Sequence, residues 1–191
     1  MFFLKKPGPE RIREILAAQK QQQFSYEHVG ASRTEAPKGY VVDHNRIQLG
    51  EGRAAFDRAK SAVKQWKMFD IPWIELFWPD TPIEEGATVA VAASHLGFWS
   101  LNAARIVYTI DERGLLERYG FAYGTLPDHA ERGEERFTVE FHPDDETVWY
   151  DLYAFSWPHT LARLAFPYTR SLQKKFATDS KLAMQRAVRQ A

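Results

Sequence analysis

Between Gly120 and Phe137 the chain reads Gly120-Phe-Ala-Tyr-Gly-Thr-Leu-Pro-Asp-His-Ala-Glu-Arg-Gly-Glu-Glu-Arg-Phe137, its densest run of polar and aromatic side chains. An imidazole exchanges protons near neutral pH, and so does a carboxylate withdrawn from water. His129 with Glu134 and Glu135, and Glu131 beside them, therefore form a candidate acid/base constellation if this stretch folds over a cavity mouth. Such a set would suit a cyclase, isomerase or hydrolase. The competing reading is a hairpin loop whose polar side chains cap backbone amides and pair with Arg132 and Arg136. Asp43-His44-Asn45-Arg46 poses the same choice, and an Asp-Arg pair at a strand end more often orders a loop than performs chemistry. Arg105 lies in an otherwise apolar strand; facing inward it would need a carboxylate or an anionic ligand, and facing outward it needs only water.

Other chemistry is absent from the pattern. Cysteine does not occur, so there is no thiolate nucleophile, no disulfide framework and no Cys-based zinc site. The six histidines are scattered, none with a second at ligand spacing, so no metal is expected. No nucleophile elbow, zinc helix or phosphate-loop lysine motif is present. Gly50-Glu51-Gly52 lacks the third glycine of a dinucleotide fingerprint and reads as a turn. No cofactor is expected, and the weight falls on binding rather than catalysis.

Any such residues must be positioned by the elements around them. Gly8-Pro9-Glu10 starts a helix carrying Ile12, Ile15 and Leu16 on one side. A polar stretch over 25–38 follows, then a strand-like segment at Tyr40-Val41-Val42. Phe56, Ala59, Val63 and Trp66, at steps of three and four, predict an amphipathic helix over 51–69 that Ile71-Pro72 stops. Strand candidates follow at 73–78, 87–96, 102–111, 118–126, 136–142 and 147–155, separated by proline and glycine turns. Tyr119, Phe121 and Tyr123 alternate with Gly120, Ala122 and Gly124; Phe137, Val139 and Phe141 share a face; so do Trp149, Tyr153 and Phe155 with Asp151. For 118–126, which face is inward stays open. A long helix then runs to the C-terminus, capped at Ser156, with Leu161, Leu164, Tyr168, Leu172 and Phe176 as its apolar stripe and a kink at Pro167.

Strands closed by one terminal helix imply an α+β fold: a curved antiparallel sheet of six or seven strands wrapped around that helix, with an extra N-terminal helix. At 191 residues the chain reads as one domain, 1–191, with a peripheral helix in 1–25 and the helix-gripping core over 39–190. Such a grip tends to leave a hollow. The candidate walls are Tyr119, Phe121, Tyr123, Phe137, Trp149, Tyr153 and Phe155, opposite Leu164, Tyr168 and Leu172. Thirteen Phe, eight Tyr and six Trp fit half-wet cavity walls, and fit a filled core equally well.

A net charge of zero argues against a nucleic-acid partner, and no apolar run is long enough to span a bilayer. A cytoplasmic protein binding a hydrophobic small molecule or lipid is the expectation. Charge is nevertheless uneven. Residues 127–151 hold nine acids against Arg132 and Arg136, while 159–191 hold seven basic residues against Asp179 alone. A basic helix complementing an acidic sheet edge would explain this; a surface for anionic lipid or nucleic acid is the alternative. Trp73, Phe77 and Trp78 form a third option, an exposed patch for a protein partner or a homodimer.

Several elements together resemble a known family: Gly39-Tyr40, Asp43-His44-x-Arg46, Leu49-Gly50-x-Gly52, Phe56-x-x-Ala59, Trp66, Gly120-Phe-Ala-Tyr-Gly-Thr-Leu126, His129, Gly133-Glu134-Glu135-x-Phe137, Ala154-Phe-Ser-x-Pro158 and Pro167-x-x-Arg170. The family is the bacterial and plant one known as domain of unknown function nineteen-ninety, and the likeness spans about 26–176. It implies no catalytic residue. Trp157 departs from the pattern, standing where arginine is expected, so no role is assigned to a charge there. The order of elements is also similar to the helix-grip superfamily, which includes lipid-transfer domains, the birch pollen allergen and aromatic polyketide cyclases.

Overall fold

The computed structural model describes residues 1–158 and 166–190. One antiparallel sheet organises it. In chain order the elements are β1 (Phe2–Phe3), α1 (Pro9–Gln19), β2 (Val41–Glu51), α2 (Gly52–Lys64), β3 (Ile74–Phe77), β4 (Thr88–His95), β5 (Phe98–Glu112), β6 (Glu117–Thr125), β7 (Glu131–Phe141), β8 (Thr147–Pro158) and α3 (Phe166–Gln190). Across the sheet the order is β2-β8-β7-β6-β5-β4-β3, with the two-residue β1 added to β5. The six or seven strands expected become eight, and the helix-gripping arrangement is present. The tightest hairpin, β4 to β5, turns at Leu96 and Gly97, both with positive φ, the backbone twist that a two-residue connection requires. Register shifts at Gln48/Gly50 and Ile106/Tyr108 add an unpaired residue to one strand, which bends and twists the sheet.

Alternation sets two faces. On the concave face, Phe121, Phe137, Val139, Phe141, Val148 and Tyr150 pack against Phe56, Ala59 and Val63 of α2 and against Met184 and Val188 of α3. Tyr150 also hydrogen-bonds Ser180 across this packing at 2.9 Å. Helix α2 ends where Trp66 takes a left-handed backbone at φ 56°, a strained state for a bulky residue. The indole is fixed by Phe121, 4.8 Å away between ring centres, and by an N–H bond to the Thr81 carbonyl at 2.9 Å. This break turns the following 3-10 segment (Lys67–Phe69) so that Phe69 reaches the space beneath α3.

The convex face is covered in two places. Ile12 and Ile15 of α1 pack on Ala90, Ala92 and Leu101, and Phe77 and Trp78 join this cluster. The expected exposed patch of Trp73, Phe77 and Trp78 is therefore not assembled: two of the rings sit under α1, and the Trp73 indole donates to Asp179 of α3 at 2.7 Å. Arg105 also belongs to this face, where its guanidinium donates to the carbonyls of Gln19 and Lys20 and closes the C-terminus of α1. Further along, residues 24–40 lie over β6, β7 and β8. Gly124 permits this approach, because a Cβ there would stand 2.2 Å from the Tyr26 hydroxyl.

One sequence expectation at the chain's end is revised. Strand β8 continues to Pro158, so Ser156 lies in a strand and caps no helix. Helix α3 is described over Phe166–Gln190, and the expected kink at Pro167 falls at the edge of the described residues. Leu161 and Leu164 lie outside the described residues. No described helix is long and apolar enough to cross a membrane.

Candidate functional site

The concave face is solid at one end and hollow at the other. The solid end lies under α2 and the C-terminal half of α3. Between the N-terminal half of α3 and the neighbouring strands lies a cavity of about 1040 Å³. Its apolar walls include Val91 and Ala93 of β4, Ile74 of β3, Leu152 of β8, Phe69, and Leu172 and Phe176 of α3. Ring stacking makes part of this wall rigid: Phe69 lies 5.6 Å from Phe176 and 6.3 Å from Tyr123 between centroids.

Polar groups gather at one end, where the start of β7 meets α3. Strand β7 begins at Glu131, so Glu131, Gly133, Glu134 and Glu135 are strand residues and the expected loop shrinks to the turn before them. Alternation then separates the acids. Glu131 and Glu135 face the cavity; the Glu134 side chain faces away. The Tyr123 hydroxyl donates to Glu135 at 2.7 Å, and the Gln173 amide donates to Glu131 at 2.6 Å and to Ser156 at 3.1 Å. The His129 ring accepts the Glu131 N–H on Nδ1 at 3.0 Å, which places its own proton on Nε2. Burial pushes His129 down to about 3, keeping it neutral at physiological pH, and pushes Glu135 up to about 8. Glu131 is raised for the same reason, against the pull of Gln173 and Ser156. At the rim, Arg170 of α3 grips Asp43 of β2 through both terminal guanidinium nitrogens, one at 2.8 Å, and anchors the helix over the hollow.

The expected acid/base trio is therefore divided. His129 and Glu135 border the cavity, but the Glu134 carboxylate is held on the convex side by the Tyr26 hydroxyl at 2.6 Å, the Gly30 N–H at 2.7 Å, and both the N–H and hydroxyl of Ser32. It is 2 % exposed and serves to fasten the 24–40 segment.

The expected aromatic wall is divided as well. Tyr123, Tyr168 and Leu172 border the cavity, and Phe155 borders it while its ring packs on Tyr26 and Tyr40. Phe121 and Phe137 stack on each other at 5.2 Å within the solid core, and Tyr119 packs against that same core. Trp149 and Tyr153 lie on the convex face, with Arg46 over Trp149 and Arg136 over Tyr153. The concave residues of β8 are instead Val148, Tyr150 and Leu152, because alternation placed the Trp149 set with the buried Asp151, which Arg136, Arg46 and His44 surround. His44 and Arg46 thus belong to a convex charge network inside strand β2, not to a loop. The expected match of a basic helix to an acidic sheet is also largely unmet. Among the described residues only Arg170 of α3 forms an ion pair with the sheet, and Glu140 of β7 and Asp151 of β8 pair with arginines of the sheet itself.

Sequence reasoning missed Phe69, Gln173 and the role of Arg170. Gln173 carried a signal, a lone amide beside the stripe Tyr168, Leu172 and Phe176 at helical spacing. Phe69 carried little, because its direction depends on the left-handed turn at Trp66. Among the described residues no group of three His, Asp or Glu side chains is placed to hold a metal ion.

Comparison with known proteins agrees with this architecture. A UPF0548 protein of Dictyostelium discoideum is 38% identical over 208 residues, covering 98% of this chain and 96% of that protein. One from Deinococcus radiodurans is 36% identical over 185 residues, covering 91% of this chain and 88% of its own length. Among solved structures, Ara h 8.0201 superposes with a TM-score of 0.50 at 15% identity, over 80% of this chain and all of that one, a likeness of fold alone. The family model described as Domain of unknown function (DUF1990) matches residues 25–183, and the chain belongs to that family.

Proposed function

We propose that the protein is a binding module that holds a hydrophobic or aromatic small molecule, or a lipid, in the cavity between the sheet and the N-terminal half of α3. The observation that carries this reading is the cavity itself, about 1040 Å³ of unfilled space. Small-molecule sites are hollows of about 300–1000 Å³ with apolar walls and a few placed polar groups, and this hollow matches that description. Water gains little from such walls, so an apolar occupant is favoured. Catalysis by His129, Glu134 and Glu135 together has no support from the geometry, because Glu134 is committed elsewhere.

The experiment is mass spectrometry of organic extracts from the purified protein and from Leu172→Trp, whose larger ring would project into the hollow. The reading predicts an apolar compound in near-stoichiometric amount from the wild type and its loss from the folded variant. Equal extracts from the two proteins would count against it.

A further inference from the structure

The acidic end of the cavity points to the chemical class of its occupant, an inference that rests on the binding reading above. Glu131 and Glu135 both border the hollow, and among the described residues neither forms an ion pair. The surrounding elements were each in a position to supply a basic partner. From β2 comes Asp43, whose ion-pair partner Arg170 also draws on Glu131 at longer range but holds its guanidinium on Asp43. From α3, the residue that reaches Glu131 is Gln173, an amide, while Lys174 borders the cavity on an exposed position. From β6 and β8 come hydroxyls, those of Tyr123 and Ser156. The turn before β7 contributes the neutral His129, and burial likewise lowers His95 of β4. The Met1 amino group, close enough to act on His129, is spent on the carbonyls of Leu101 and Asp128.

Two carboxyl groups on the wall of an apolar hollow cannot both ionise without mutual repulsion and lost solvation, so the site takes up positive charge, as a proton when empty or as a cation from an occupant. The stacked rings of Phe69, Phe176 and Tyr123 add π faces that attract a cation. We infer that the occupant is an apolar or aromatic molecule carrying a protonated amine, seated with its nitrogen between Glu131 and Glu135 and its carbon body against Ile74, Val91 and Leu172. The empty site at neutral pH holds a proton on Glu135; the ligand enters as an ammonium ion, Glu135 releases that proton to solvent, and both carboxylates face the nitrogen. Affinity therefore rises with pH toward about 8, then falls above about 10 as an ordinary alkylamine loses its own proton.

The test uses N-phenylnaphthylamine, a fluorescent dye whose diarylamine is uncharged at neutral pH, as a reporter of cavity occupancy. Three naphthylethyl competitors, differing only in an ammonium, hydroxyl or carboxylate head, are titrated against it. The amine is expected to displace the dye at a concentration at least about tenfold below the alcohol, as a hydrogen-bonded charge pair implies, with the carboxylate weakest. That preference shrinks toward parity in Glu135→Gln and in Glu131→Gln, and persists in Glu117→Gln, far from the hollow. An alcohol or carboxylate that competes as well as the amine overturns the inference and leaves the binding reading standing. So does an amine preference that survives in both cavity variants. Failure of the dye to bind at all overturns both.

Discussion

Glu135 shows how one side chain records its surroundings. Its carboxyl is pushed up to about 8 from an ordinary 4.5 by burial first, with Glu131 and Asp43 adding repulsion against the Tyr123 hydrogen bond. The folded protein thus holds a proton that the unfolded chain releases. The contribution to stability is fully present below about pH 4.5 and is lost as pH rises through about 8. Glu135→Gln keeps the shape and one acceptor oxygen but does not titrate. Thermal melts of both proteins between about pH 5 and pH 8.5 should show the wild type losing ground to the variant as pH rises. A difference in Tm that stays constant across this range would contradict the assignment. At this scale the sequence was only half legible. His129, Glu131, Glu134 and Glu135 stand out as a cluster of titratable groups, but their alternation on a strand decides their roles. Reading them as loop residues hid the separation of Glu134 from Glu135.

Among the elements, the 24–40 segment has little regular structure and is held by specific polar contacts. Glu134 accepts from Tyr26, Gly30 and Ser32, and Tyr26 seats its ring against Phe24 and Phe155 over Gly124. Glu134→Ala leaves these buried donors without an acceptor, at about 1–3 kcal/mol for each group that finds no water. A loss of about 3 kcal/mol in denaturant unfolding is expected, with faster amide exchange at Gly30 and Ser32; Glu134→Gln should lose less. Unchanged stability and exchange in Glu134→Ala would show that the segment is held some other way. Alternation made the strands and their faces readable from residues such as Phe137, Val139 and Phe141. It could not say which face of β8 was concave, since a buried Asp151 travels with Trp149 and Tyr153. It also could not distinguish the filled end of the grip from the hollow end. Phe121 and Tyr123 share a face and differ only in distance along it, yet one is core and the other is wall.

For the whole molecule, the order of elements was the legible part, because a run of antiparallel strands followed by a long apolar-striped helix has few ways to bury both. The volume left between them was not legible, since it depends on how deeply α2, the Trp66 turn and Tyr150 fill the grip from one side. That volume is the basis of the binding account. The most direct measurement is a fluorescence titration of wild-type protein and Leu172→Trp with N-phenylnaphthylamine, with circular dichroism confirming that both are folded. The account predicts saturable binding near one dye per wild-type chain, and affinity weakened at least about tenfold in the variant, as filling an apolar pocket implies. No saturable binding to the wild type, or equal binding to both, would contradict it.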